Sequence, residues 1–271
     1  MIVWTDRAQK TIGHPAKRRI IESLQIADCS FSRLLLALSI ADHGKLGYYL
    51  RTLEGFVALN PSTGKYYLTE RGRLLAACIQ DFQFMASMNN QLEKTLQRLG
   101  PGDHAIGFCE TDLFKRKICH SFIRIGLLKE EAVMYVASEH ALDSEVKELG
   151  RSGITSSHPS KGAFTVTSSY EWYLRKGKAQ TETIIANWQG FLKEKKKAGF
   201  ASVRVVGDLE VFFENARVEE LLRYEEALGK RLTMGLCGLC LYGSVKLYPA
   251  HLSQLLNCHG YILSKDIVGK V

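Results

Sequence analysis

Beyond residue 104, short apolar runs alternate with amphipathic helical stretches, and this alternation limits the possible fold more than any other feature of the chain. "AIGFC" precedes "LFKRKICHSFIRIG", "AVMYVAS" precedes "ALDSEVKELG", and "AFTVTSS" precedes "AQTETIIANWQGFLKEKKKAG". "SVRVVGD" then leads into "VEELLRYEEALGKR", and "TMGLCGLCLY" into "PAHLSQLLN", with "GYILS" as a last strand. Strand–helix units in succession predict a parallel α/β sheet covered on both faces. Right-handed crossovers restrict the winding, and a ligand is expected outside the carboxyl ends of the strands.

"LGPGDH" at 99–104 breaks the pattern that precedes it and marks a boundary, and a length of 271 residues suits two domains. The composition is 46% hydrophobic and 24% charged, ordinary for a soluble protein, and no apolar run reaches the roughly 18 residues of a membrane span. The N-terminal stretch "MIVWTDRAQKTIGHPAKRR" lacks the pattern of a signal peptide, so a cytoplasmic location is expected. Seven cysteines, an odd number spread over both halves, fit free thiols in a reducing compartment. Of the net charge of +8, residues 1–100 carry 13 basic against 8 acidic side chains. That excess permits a polyanionic partner without requiring one.

The first hundred residues read as three short helices and a hairpin. "AKRRIIESLQIA" has helical spacing, Ser30 caps "FSRLLLALSI", and "HGKLGYYLRTLEGF" forms a third helix. "VALN", the turn "PSTG" and "KYYLT" then predict two antiparallel strands. The pattern "SFSRLLLALSI…GYYLRTLEGFVAL…GKYYLTERGR" resembles the winged helix-turn-helix domains common in archaeal regulators, over roughly residues 14–80. The resemblance implies double-stranded DNA as partner, with His43, Lys45, Tyr48, Tyr49 and Arg51 entering a major groove and Lys65 approaching phosphate from the wing. The alternative is a winged helix used for protein contacts, with Tyr48 and Tyr49 as packing residues.

From Thr69 to Leu99 there is no proline, and Gly72 is the only glycine, so a long helix is expected. Leu75, Phe82, Asn89 and Leu96 alternate with Cys78, Met85, Leu92 and Leu99 at spacings of three and four, the seam of a coiled coil. A polar Asn89 inside such a seam specifies register, and the stripe predicts a homodimer. The alternative is that the stripe packs within the chain.

"VRVVGDLE" would set Asp208 at a strand end, where nucleotide hydrolases hold a metal. A phosphate loop needs G-x-x-x-x-G-K-[ST] after the first strand. Here "ETDLFKRKICHSF" follows that strand without a glycine, and none of the five Gly-Lys pairs precedes Ser or Thr. A nucleotide-binding ATPase is therefore the weaker reading, and no enzyme activity is expected.

"DHAIGFCET", "AVMYVASE", "EWYL", "VRVVGDLE", "LLRYEEALGK", "LCGLCLY" and "YPAHLSQLLNCHGYIL", spread over about residues 102–264, are similar in pattern and order to the MEDS sensory domain of methanogens and methylotrophs. That resemblance implies a RecA-like sheet without a P-loop and the sensing of a small organic ligand related to simple hydrocarbons. Strand-end geometry nominates His104 and Glu110, Ser138 and Glu139, Trp172 and Tyr173, Asp208 and Tyr242, with Glu225 on the helix between the last two strands. Trp172 and Tyr173 have the alternative of plain core packing, Asp208 that of capping a turn, and His104 that of a boundary residue.

Cys237 and Cys240 lie three apart on an expected strand, so their side chains point to opposite faces and cannot easily share a metal. No metal and no cofactor is expected. The organisation that emerges is an α+β winged helix-turn-helix DNA-binding domain at 1–68, a helical dimerisation linker at 69–101 and an α/β sensory domain at 102–271. Such a chain is a ligand-responsive transcription regulator, with a protein-interaction adaptor as the alternative.

Overall fold

The structure, a computed structural model, describes residues 10–11, 13–40, 42–88, 90–151, 154, 162–243 and 249–271. The chain divides into two compact units, residues 1–81 with 151–154, and residues 82–150 with 155–271.

In the first unit α1 (Pro15–Ile26) opens on a proline, whose missing N–H has no helical partner to lose, and buries Ile20, Ile21 and Leu24. After β1 (Cys29–Ser30), the Ser30 hydroxyl accepts from Arg33 N and caps α2 (Phe31–Leu38). Asp42 caps α3 (His43–Thr52) by accepting from Gly44 N at 2.7 Å and Lys45 N at 3.2 Å. The hairpin pairs β2 (Val57–Asn60) with β3 (Lys65–Leu68), and β1 adds on the other side of β3, giving an antiparallel order β1-β3-β2. Thr69 then caps α4 (Glu70–Met88): its hydroxyl donates to Gly55 O at 2.7 Å and accepts from Gly72 N at 3.1 Å. A Cβ on Gly72 would run into the Phe56 carbonyl, so this glycine lets the helix start directly against the turn before the hairpin.

The second unit takes in the end of α4 from Phe82 onward and then α5 (Asn90–Arg98), followed by β4 (His104–Phe108), α6 (Asp112–Leu128), β5 (Ala132–Ala137) and α7 (Leu142–Arg151). Then come β6 (Phe164–Ser168), the short α8 (Ser169–Tyr173), α9 (Thr181–Lys197), β7 (Val203–Asp208), α10 (Glu210–Glu214) and α11 (Val218–Leu228). The unit ends with β8 (Cys237–Tyr242), α12 (Pro249–Asn257), β9 (Tyr261–Leu263) and β10 (Val268–Lys270). The strands form one sheet in the order β10-β9-β4-β8-β7-β5-β6, parallel except for β10, which runs antiparallel to β9. The sheet expected from the sequence is present, and every residue of β5, β7 and β8 is buried, as a doubly covered sheet requires.

The two faces have different chemistry. Helix α6 covers the face that carries Val133 and Arg204, and a Cβ on its Gly126 would lie 2.6 Å from Val133. The opposite face carries Met134, Val205 and Cys240 and packs against Ile184, Trp188 and Phe191 of α9 and Leu221 and Tyr224 of α11.

The stripe expected to join two copies is used inside one chain. Leu75, Cys78, Phe82, Leu92, Leu96 and Leu99 are all buried in the single chain, while Asn89 and the side chain of Met85 lie outside the described residues. Spacings of three and four belong to any helix with one buried face, so the repeat cannot distinguish a core-facing stripe from a dimer seam.

At the base of the second unit sits Arg204, with no exposed surface. Its Nε donates to Glu131 Oε2 at 2.6 Å, its terminal amine donates to Leu99 O at 3.0 Å, and the guanidinium lies 4.4 Å from the centre of the Phe122 ring. One side chain thus joins β7, the entry to β5, the end of α5 and the inner face of α6. Glu131→Gln leaves that guanidinium buried without its counter-charge and is expected to cost about 3–5 kcal/mol of stability. The measurement is a urea midpoint that falls with an unchanged m-value; an unchanged midpoint would show that the pair adds nothing.

Candidate functional site

On α3 the exposed side chains are His43, Lys45, Tyr48 and Arg51, with Lys65 exposed at the start of β3. Lys45, Tyr48 and Arg51 are each three residues apart and therefore share one helix face. Tyr49, expected beside them, is 7% exposed and packs edge-on against His14 at 5.0 Å between ring centres. It faces the core with Leu46 and Leu50, because a helix turns successive residues by about 100° and only one of two neighbouring tyrosines can face outward.

The nine positions expected to surround a strand-end pocket separate into different environments. Glu110 is exposed in the connection after β4. Glu139 is exposed and pairs with the Ser168 hydroxyl, and Ser138 precedes it in the same turn, so both lie at the β5–β6 edge. Asp208, on the carboxyl end of β7, is buried and bound to Lys115 Nζ at 2.6 Å; Glu210 reaches the same ammonium at 3.1 Å. Asp208 Oδ1 also accepts from Glu210 N at 3.1 Å, the turn-capping role that was its structural alternative. Burial pushes the Asp208 carboxyl up and Lys115 pulls it down, while Asp208 and Glu210 hold the Lys115 ammonium above its usual range against the cost of burial. Lys115 lies on the first turns of α6, where nothing in the sequence pattern separated it from its basic neighbours Arg116 and Lys117.

Three expected residues, His104, Glu225 and Tyr242, do come together beneath the α9–α11 face of the sheet, Tyr242 reaching in from the carboxyl end of β8 and His104 from the amino end of β4. Tyr242 donates its hydroxyl to Glu225 Oε1 at 2.7 Å. His104 Nε2 lies 3.5 Å from Glu225 Oε2 and 3.3 Å from Cys240 Sγ. His259, in the short connection between α12 and β9, adds its Nε2 at 3.5 Å from the same carboxylate oxygen. Both imidazole rings are oriented by backbone carbonyls: His104 Nδ1 lies 2.8 Å from Gly229 O and 3.1 Å from Cys258 O, and His259 Nδ1 lies 2.6 Å from Leu255 O. Burial pushes the Glu225 carboxyl and the Cys240 thiol up, and burial followed by the His104 ring holds His259 well below its ordinary value. Gly238 pairs with His104 across the ladder, and a Cβ there would stand 2.7 Å from Leu232 and 3.5 Å from the His104 ring. Cys240 and His259 were missed as site residues because one reads as strand core and the other as a helix end.

Two spaces adjoin these residues. A cavity of about 20 Å³, large enough for a water-sized guest, is lined by His104, Tyr173, Trp188, Tyr224, Met234 and Cys240. Tyr173, 2% exposed, is core, whereas Trp172 is half-buried and opens onto a surface cleft of about 300 Å³ with Arg175, Lys178, Gln180 and Thr183. The Trp172 ring stands 4.6 Å from that of Trp188, and its indole N–H has no hydrogen-bond partner among the described residues. An aromatic wall and two cations suit a small organic molecule carrying a polar or anionic group.

The close approach at Gly238 has a measurable consequence. Gly238→Ala is expected to lower stability by about 1–3 kcal/mol through overpacking against Leu232. Gly190→Ala, inside α9 with nothing within 4 Å of a Cβ, raises it by about 0.4–1 kcal/mol. Thermal unfolding of both variants against the parent chain checks the opposite signs.

Among curated proteins none matches the chain. Residues 103–260, more than half of the chain and five of the seven strands of the sheet just described, match the family described as MEDS, the methanogen/methylotroph, DcmR sensory domain. The chain belongs to the MEDS family.

Proposed function

We propose that the chain is a ligand-responsive, DNA-binding transcription regulator, in which an N-terminal winged helix reads DNA and the MEDS domain binds a small organic molecule. The observation that carries this reading is a sensory domain preceded by a unit of three helices and a hairpin that presents Lys45, Tyr48 and Arg51 on one exposed helix face. The β1-β3-β2 order supports the winged-helix reading, with α3 as the element for the major groove and Lys65 beside the hairpin turn for a phosphate. The parallel sheet with helices on both faces supports a RecA-like architecture for the sensory domain.

In this reading the sensory domain does not hydrolyse nucleotides. A three-residue connection without glycine, Cys109 to Thr111, joins β4 to α6, and Asp208 and Glu210 already neutralise Lys115. The cleft beside Trp172 and Arg175 is the entry point for a ligand among the simple hydrocarbon derivatives. Regulation requires that this ligand bind two states of the protein with different affinity.

A second reading, a protein-interaction adaptor, draws on apolar side chains left open on the first unit, Ile26 at 87% and Leu36 at 82% exposure. Fluorescence anisotropy on the chain's own upstream DNA and on a shuffled duplex, each over a salt series, separates the two. The regulator predicts tight binding to the native duplex alone. Lys45→Ala and Arg51→Ala then weaken it, and the slope of log K against log salt becomes shallower by about 1 for each phosphate contact removed. Equal, weak binding to both duplexes that vanishes with salt would favour the adaptor.

A further inference from the structure

His104, Glu225, Cys240 and His259 come from four separate elements, yet their ligand atoms lie within 4.8 Å of one another. None is more than 7% exposed. Their hydrogen atoms are largely committed elsewhere. Both imidazoles face carbonyl oxygens through Nδ1, so in the neutral form each carries its proton there and turns the Nε2 lone pair inward. Glu225 is held by Tyr242 through Oε1, which leaves Oε2 facing the same centre. The result is two nitrogen lone pairs, a carboxylate oxygen and a sulfur directed at one point. Glu225 Oε2 and His259 Nε2 have no hydrogen-bond partner among the described residues. The Cys240 thiol offers one proton, and at 3.5 Å the Glu225 oxygen stands too far from either Nε2 for a good hydrogen bond, whichever atom carries a proton. A buried set of this kind is costly unless a cation occupies its centre.

We propose that these four side chains form a closed, tetrahedral site for a first-row divalent transition-metal ion, with Zn²⁺ the best fit to the donor set. Bonds of about 2.0–2.1 Å to nitrogen and oxygen and about 2.3 Å to sulfur place tetrahedral ligands roughly 3.3–3.6 Å apart. The separations found are 3.3 Å from His104 to Cys240, and 3.5 Å from Glu225 to each histidine. Backbone carbonyls behind both rings, and Tyr242 behind Glu225, supply the outer hydrogen bonds that orient metal ligands. On binding, the Cys240 proton leaves to solvent, and thiolate and carboxylate together balance the dication. Four protein donors leave no open position, so the ion is structural: it fastens the α12–β9 connection and α11 to the centre of the sheet. Cys237 takes no part, because it lies on the opposite face beside Arg204, as the three-residue spacing requires. The proposal does not depend on DNA binding or on the identity of the sensed molecule.

The test is titration of the purified, metal-stripped full chain with Co²⁺, followed by displacement with Zn²⁺. Expected are one equivalent bound per chain, the intense visible bands of tetrahedral Co²⁺ and a thiolate-to-metal charge-transfer band. Cys240→Ser abolishes the charge-transfer band, and Cys237→Ser retains it. Tyr242→Phe, which touches no metal, weakens affinity about 10–100-fold. A parent chain that keeps its circular dichroism yet binds neither ion would overturn the proposal, as would a charge-transfer band that survives Cys240→Ser. Should Cys240→Ser fail to fold, the parent chain alone decides: a site without thiolate absorption at one equivalent is not this site.

Discussion

A guanidinium shut away from water is the constraint on which the second unit is built. Arg204 lies at the second position of β7, and its two donated hydrogen bonds end on Glu131, just before β5, and on Leu99, at the end of α5. The desolvation of such a charge is recovered only when geometry is held closely, so the pair ties strand register to helix position. Gly126 is part of the same arrangement, since a side chain there would press on the Arg204 methylenes and on Glu131. Every site further along the sheet depends on this register, because a slip of one residue would send Cys240 and Asp208 to the wrong faces.

The two faces of the sheet hold separate polar centres. On the α6 side, Lys115, Asp208 and Glu210 form an ion-pair group at the carboxyl edge, where doubly wound sheets place their ligands. Here the lysine is already neutralised by two acids, which leaves little attraction for a phosphate. On the α9–α11 side, the carboxylate, two imidazoles and a thiol are enclosed, with Tyr224 and Trp188 joined by a 2.8 Å hydrogen bond beside the adjoining cavity. The surface cleft beside Trp172 and the enclosed donor set are therefore separate features of one domain.

Much of the fold was legible because period-two and helical apolar patterns are local. The strand–helix succession, the cap at Ser30 and the hairpin around "PSTG" all follow from short-range rules, whereas the compact units divide between residues 81 and 82, inside α4, and not at the Pro-Gly stretch near 101. The site was legible only in part. His104, Glu225 and Tyr242 were named for strand-end geometry and do meet, but in the interior, since Glu225 is on the buried side of α11 and His104 begins its strand rather than ending it. Tyr48 and Tyr49 looked equivalent and are not, as helix α3 turns one outward and the other into the core. The heptad-like stripe on α4 and α5 fits a seam between copies and fits equally a helix with one covered face, since the same repeat serves both.

The sequence by itself determined the class of fold, the order of strands and helices along the chain, the lack of a phosphate loop and the opposite faces of Cys237 and Cys240. These depend on residue type and on spacings of a few positions. The tertiary structure alone decided that residues 104, 225, 240 and 259 converge. Their separations are set by strand order in the sheet and by the packing of α11 and α12 on it, and no local pattern encodes either.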